Sequence, residues 1–312
     1  MHLALTLNPF VDTDLLYAQQ LGVDWIVGDV PAWDYDTLAA ARNRVEKSGL
    51  VLSALDCLPT SLVADALLEQ AECEEAIDRV CRVITDVGQL GIPSLGYRWP
   101  PVEADSVVET TTGRGGALSV VYRIRDKEHT SQGPAREEMW QALAHFLERV
   151  VPVAEAAGVR LAYRTDISLV SLPEERRILD SVTELDRLFQ VAGSPCHGLN
   201  LDHGFVTQVL GWQTSLQTGL KVDEVIRHFG RQRRIFAVRM RNLRRTDSGA
   251  QEHFLDEDRV ATLRGLQAYR EAGFEGPLCP VPSPGMTDDT EWRHKGYAFG
   301  IGYLRALLQA LG

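Results

Sequence analysis

Eight short apolar runs, each followed by a stretch of helical periodicity, constrain this chain more than any other feature. The runs are "LALTL", "WIVGDV", "VLSAL", "SLGYRW", "RLAYRTD", "GLNLDHG", "IFAVRMRN" and "GPLCPVP". Between and after them, helical patterns extend over Asp14 to Leu21, Tyr35 to Ser48, Glu74 to Leu90, Glu137 to Ala157, Val182 to Val191, Val222 to Phe229, Arg259 to Ala272 and Gly296 to Leu311. Several close on glycine, as in "AQQLG", "RVEKSG", "VAEAAG" and "YREAG", where a left-handed residue can end a helix before the next strand. Alternation of this kind builds parallel sheets with crossover helices, and eight units predict a single α/β domain over residues 1–312, a (β/α)8 TIM barrel. A doubly wound sheet is the runner-up, but no glycine-rich phosphate fingerprint follows the first strand.

One connection breaks the rhythm. The long active-face loop at about 100–134, "PPVEADSVVETTTGRGGALSVVYRIRDKEHTSQGP", leaves the end of a strand where barrel enzymes build their sites, and connections of this length are commonly lids or disordered. Its "GRGGA" segment, Gly113 to Ala117, could be a flexible turn or could bring backbone N–H groups and Arg114 over an anion.

Charge narrows the partners. With 32 Lys+Arg against 43 Asp+Glu the net charge is −11, which disfavours binding to nucleic acid or to an anionic membrane. No run of eighteen apolar residues and no secretory leader pattern occurs, so the expected location is cytoplasmic. The five cysteines are scattered without a Cys-x-x-Cys pair and read as reduced core residues.

Against this acidic background, "FAVRMRNLRR" ends an apolar strand in arginines. Side chains alternate along a strand, so Ile235, Ala237, Arg239 and Arg241 share one face, and the bulkier Phe236, Val238 and Met240 suit the helix side. The same parity groups Arg164 with Asp166, Asn200 with Asp202, and Ser94 with Gly96 and Arg98. Arginine forks among carboxylates and an amide could form a salt-bridge network closing the barrel. They could also hold a small polyhydroxy acid, with arginines on the carboxylate and Asp166, Asn200 and Asp202 on hydroxyls. His203, on the opposite parity, suits a supporting position beside the substrate, and His253 lies on a loop at the same face.

These residues carry a family resemblance. "ERVVPVAEAAGVRLAYRTD", "GLNLDHG", "RRIFAVRMRN", "LCPVPSPG" and "KGYAFGIGYLRAL" occur in the order and at roughly the spacing found in the mannonate dehydratases, a branch of the xylose-isomerase-like barrels, and "GDVPAW", "VLSALDCLP" and "GRGGA" are similar in the first half. The resemblance implies the barrel fold, a carbon–oxygen lyase of carbohydrate metabolism acting on a sugar acid, and a homo-oligomer as one possible assembly. It also implies a divalent metal held at positions that match Arg164, Asp202, Arg239 and Ser283. Arginine cannot ligate a cation, so the expectation here is a member with replaced ligand positions and no cofactor. Manganese, magnesium or zinc would need another set, for instance Asp166, Asp202, His203 and His253. The family's acid–base histidine matches Pro284, its tyrosine matches Tyr297, and a loop histidine matches His253. Tyr297, with Asp202 or Asp166, is therefore the expected catalytic group. Alternatives remain open: a sugar isomerase or epimerase using the same residues, or a catalytically lapsed sugar-acid binder.

Overall fold

The computed structural model of the 312-residue chain describes residues 1–64, 70–99, 108–123, 135–165, 178–207, 221–246 and 249–312. Its strands, in chain order, are β1 (His2–Leu7), β2 (Trp25–Gly28), β3 (Val51–Leu55), β4 (Ser94–Tyr97), β5 (Val108–Thr112), β6 (Leu118–Arg123), β7 (Arg160–Arg164), β8 (His197–Asp202), β9 (Ile235–Met240), β10 (Asn242–Thr246), β11 (Gly249–His253) and β12 (Pro277–Pro280). Eight of them, β1, β2, β3, β4, β7, β8, β9 and β12, close a parallel barrel in that order. These are the eight apolar runs of the sequence.

The helices are α1 (Asp12–Gln20), α2 (Tyr35–Lys47), α3 (Thr60–Ala64), α4 (Gln70–Gln89), α5 (Arg136–Ala157), α6 (Val182–Val191), α7 (His203–Phe205), α8 (Val222–Arg231), α9 (Arg259–Glu271) and α10 (His294–Leu311). The long ones fall where the periodicity places them, and α5 ends as its sequence predicts, on Gly158 at φ 69°. Among the described residues no helix is long and apolar enough to cross a membrane.

The core lies between barrel and helices, where Tyr97, Trp99, Phe146, Tyr163 and Phe229 are buried. His197 is buried with them, and burial lowers its pKa to about 4. It is therefore neutral, and its ring can donate from Nδ1 to the Ala192 carbonyl at 3.1 Å while Nε2 accepts the Tyr97 hydroxyl at 2.8 Å. This chain ties β4 to the end of α6.

The connection expected as a loop differs in the structure. Residues 108–123 form a hairpin around a short 3-10 turn at Arg114–Gly116, and its second strand pairs with β11, giving an antiparallel sheet in the order β10, β11, β6, β5. The physical reason is local: "VVETTT" and "ALSVVYR" are rich in β-branched residues and flank a glycine-rich turn. The sheet stands at the C-terminal end of the barrel, joined to it directly through β9 and β10 and by a bridge between Leu118 and Gly285.

Candidate functional site

Parity and register bring the arginines together. In β9 the residues Ala237 and Arg239 share a face, Arg239 stands beside Asp202 of β8, and Arg164 of β7 stands beside Asn200. With the inner face of the antiparallel sheet they enclose a cavity of about 330 Å³, lined among others by Arg164, Arg239, Arg241, Arg293, Asp202 and Glu252.

Beneath Arg164 and Arg239 lies Asp56, one residue beyond the end of β3 and 5% exposed. Arg164 Nη1 donates to Asp56 Oδ2 at 2.6 Å, Arg239 Nη1 donates to the same oxygen at 3.1 Å, and Asn200 Nδ2 donates to Oδ1 at 3.2 Å. Burial alone would raise the pKa of Asp56, but Arg164 and Arg239, helped by Asn200 and Arg98, outweigh it and hold the carboxyl below its ordinary value. The group is a permanent counter-anion. Gly96 permits this position, because a Cβ there would come within 1.9 Å of the Asp56 carbonyl oxygen.

Asp29, just past β2, accepts the Cys57 N–H at 3.0 Å. Burial, then the charge of Asp56, raises its pKa to about 6. Two carboxyls of opposite tendency thus stand side by side.

A second network spans barrel and sheet. Arg241 Nε donates to Asp202 Oδ1 at 3.0 Å, its Nη2 lies 2.5 Å from Oδ2, and its Nη1 reaches the Tyr122 hydroxyl at 2.8 Å and Glu252 Oε1 at 3.2 Å. Tyr122 donates in turn to Glu252 at 3.0 Å, and the Ser283 hydroxyl bonds the other carboxylate oxygen of Glu252. Burial would lower the pKa of Arg241, yet Asp202 and its other partners raise it, so the guanidinium keeps its charge. Burial pushes the Tyr122 phenol up, against the opposing pull of Arg241.

The remaining sequence-derived candidates divide between the Asp56 cluster and positions apart from it. Arg98 is half-buried and near enough to Asp56 to help hold it ionised. Asn200 spends its amide on Asp56. Arg114 pairs with Asp256 at 2.9 Å, with its guanidinium 4.5 Å from the centre of the Phe254 ring. His253 faces Glu257 at 3.4 Å. His203 is buried, its Nδ1 lies 3.2 Å from the Tyr269 hydroxyl, and burial lowers its pKa to about 4. Gly265 and Tyr269 enclose its ring, and the charge of Asp202 opposes part of the effect of burial. Tyr297 donates its hydroxyl to the Thr6 carbonyl at 3.1 Å and packs on Trp292, and burial pushes its phenol up. Asp166 lies outside the described residues.

The residues at the family's metal-ligand positions do not fit a divalent cation. Arg164 and Arg239 have no donor lone pair, both oxygens of Asp202 face Arg241 while Oδ1 also accepts the Phe205 N–H, and Ser283 is bonded to Glu252. The alternative set is not assembled either: of its described members, His203 faces the Tyr269 hydroxyl and His253 faces Glu257. Among the described residues no group of three or more His, Cys, Asp and Glu is arranged to hold a metal.

Sequence reasoning missed Asp56, Glu252, Tyr122 and Arg293. For Asp56 the signal was present, a carboxylate directly after the apolar run "VLSAL". Glu252 and Tyr122 enter through the pairing of β6 with β11, which no local pattern announces.

Comparison with known proteins agrees with this architecture. The chain is 26% identical over 327 residues to mannonate dehydratase 2 of Halalkalibacterium halodurans, covering 92% of this chain and 90% of that one. It is 24% identical to the mannonate dehydratase of Thermotoga neapolitana, covering 93% and 91%. The crystal structure of mannonate dehydratase from Streptococcus suis serotype 2 superposes with a TM-score of 0.83 at 18% identity, over 99% of this chain and 94% of that one. D-psicose 3-epimerase from Clostridium cellulolyticum H10 shares the barrel with a TM-score of 0.63 at 11% identity, over 99% of both chains. The D-mannonate dehydratase (UxuA) family model matches residues 105–312, well over half of the sequence, and the chain therefore belongs to that family.

Proposed function

We propose that the cavity binds a sugar acid or a similar small polyhydroxy monoanion without a metal, and that the protein acts on it as a carbon–oxygen lyase. One observation carries the reading: among the described residues the cavity wall holds four arginines, Arg164, Arg239, Arg241 and Arg293, against two carboxylates, Asp202 and Glu252, with Asp56 beneath Arg164 and Arg239, in a chain whose net charge is −11. Among the described wall residues arginines outnumber carboxylates, which suits an anionic ligand. Dehydration of a 2,3-dihydroxy acid removes the proton beside the carboxylate and the neighbouring hydroxyl, so negative charge grows on the carboxylate as the bond breaks. Fixed guanidinium donors stabilise that charge without having to reorganise. The resemblance implies a metal ion in that role for the family; here the arginine side chains lining the cavity supply the positive charge. Hydroxyls of the ligand would meet Thr165 and Ser283, which line the same cavity.

A second reading, a binder that has lost catalysis, is favoured by the commitment of the Tyr297 hydroxyl to the Thr6 carbonyl and by Pro284, a residue with no proton to give, at the acid–base position. Incubation with D-mannonate followed by mass spectrometry separates the readings. A 2-keto-3-deoxy acid supports the lyase, a product of unchanged formula indicates isomerisation or epimerisation, and binding without turnover indicates the lapsed binder. Absence of both binding and turnover would defeat the anion-binding proposal.

A further inference from the structure

The anion-binding reading leaves open which arginine meets the ligand, and on that reading we infer that Arg293 is the specificity-determining residue that takes its carboxylate. Of the four arginines lining the cavity, Arg241 is enclosed by Asp202 and Glu252, and Arg164 and Arg239 converge on Asp56. Arg293 differs. Its guanidinium donates from Nη1 to the Pro282 carbonyl at 3.3 Å, and among the described residues it forms no ion pair with a carboxylate. An ideal Cβ on Gly285 would lie 3.6 Å from Arg293 Nη1 and 3.6 Å from the Leu118 Cβ, which places the guanidinium at the seam between the barrel and the antiparallel sheet.

Its backbone supports the same assignment. Arg293 adopts φ 64° and ψ 49°, the left-handed region that a side chain with a Cβ seldom occupies. The conformation is imposed from both sides: the Arg293 N–H donates to the Thr290 carbonyl at 2.8 Å, and its own carbonyl accepts the Tyr297 N–H at 3.0 Å as α10 begins. The Asp289 carboxylate then takes the N–H groups of Lys295 and Gly296, so the turn is fixed without help from the arginine side chain. Glycine would suit this position better as backbone, so the arginine is accounted for by what its side chain does in the cavity.

The test is calorimetric titration of the full chain with D-mannonate and with the neutral polyol D-mannitol, in the wild type, R293Q and R293G, together with melting curves. Loss of a charge-assisted fork on carboxylate is expected to weaken D-mannonate binding about 10- to 100-fold in both variants and to leave D-mannitol binding unchanged. R293G is expected to melt no lower than the wild type, because glycine relieves the left-handed backbone. A purely structural role would lower the melting temperature and spare the discrimination between acid and polyol. Equal losses for both ligands, or wild-type affinity in R293Q, would overturn the inference while leaving the proposed function standing. Failure of the wild type itself to bind D-mannonate would overturn both.

Discussion

The guanidinium of Arg241 meets the carboxylate of Asp202 fork to fork, Nε 3.0 Å from Oδ1 and Nη2 2.5 Å from Oδ2, with both side chains buried. Of the four positions that match the family's ligand sites, Asp202 alone carries a carboxylate, and this pair commits both of its oxygens. Asp202→Ala would leave a buried cation with Glu252 as its remaining carboxylate partner, and would also remove the acceptor for the Phe205 N–H. A loss of about 3 kcal/mol is expected from breaking a buried pair. Urea denaturation measures it, and a change below about 1 kcal/mol would show that the pair is dispensable.

The donor set makes a second expectation concrete. Protein purified without chelator should carry manganese, magnesium and zinc well below one per chain, and EDTA should change neither its melting temperature nor its affinity for D-mannonate. Stoichiometric metal, lost with activity on chelation, would return the chain to metal-assisted chemistry with ligands other than those at the matching positions.

Asp56 acts as an internal anion shared by Arg164 and Arg239. Its replacement in Asp56→Asn should destabilise the fold by about 3 kcal/mol, since two cations lose their common partner. Part of that loss should return on adding sulfate, which can meet Arg164 and Arg239 from the cavity they line, so the variant's melting temperature should rise with sulfate more steeply than that of the wild type. Parallel responses of the two proteins would contradict the shared-anion role.

Asp29 makes stability depend on pH. Its pKa is raised to about 6 by burial and by Asp56, so between the ordinary carboxylate range and pH 6 the folded chain holds a proton that the unfolded chain has released. The contribution is fully present below the ordinary carboxylate range, falls as pH rises from there to about 6, and is flat above. Its full span is roughly 3 kcal/mol. Asp29→Asn should therefore gain stability relative to the wild type as pH is raised across this window, a difference that denaturation at the two ends of the window, in the ordinary carboxylate range and above pH 6, would reveal. A constant difference would assign the pH dependence to other groups.

The barrel was legible because its signals are local. Alternation of apolar runs, helical periodicity and closing glycines such as Gly158 act over a few residues, and the strand parity that placed Arg239 and Arg241 inward depends only on the two-residue repeat. The site was legible in half. Parity can say that Arg164, Asn200 and Arg239 point inward, but not that all three would turn to one carboxylate just past β3, because that choice is made across the barrel. His203 reads as a site residue by its neighbourhood to Asp202, yet a one-residue step along the chain carries it to the opposite side, against Tyr269. Arg293 gave no sequence signal at all, since nothing in "EWRHKG" announces a left-handed backbone.

The pairing of β6 with β11 also bears on the order of assembly. Ser119 and Glu252, joined by a hydrogen bond of 2.6 Å, lie 133 positions apart, and closing a loop of that length costs entropy until other contacts have drawn its ends together. The parallel ladder from β4 through β7 and β8 to β9 supplies those contacts. A formed barrel would bring the two hairpins together, so the expected outcome is that hydrogen exchange finds the pairing of β6 with β11 opening before the barrel ladder.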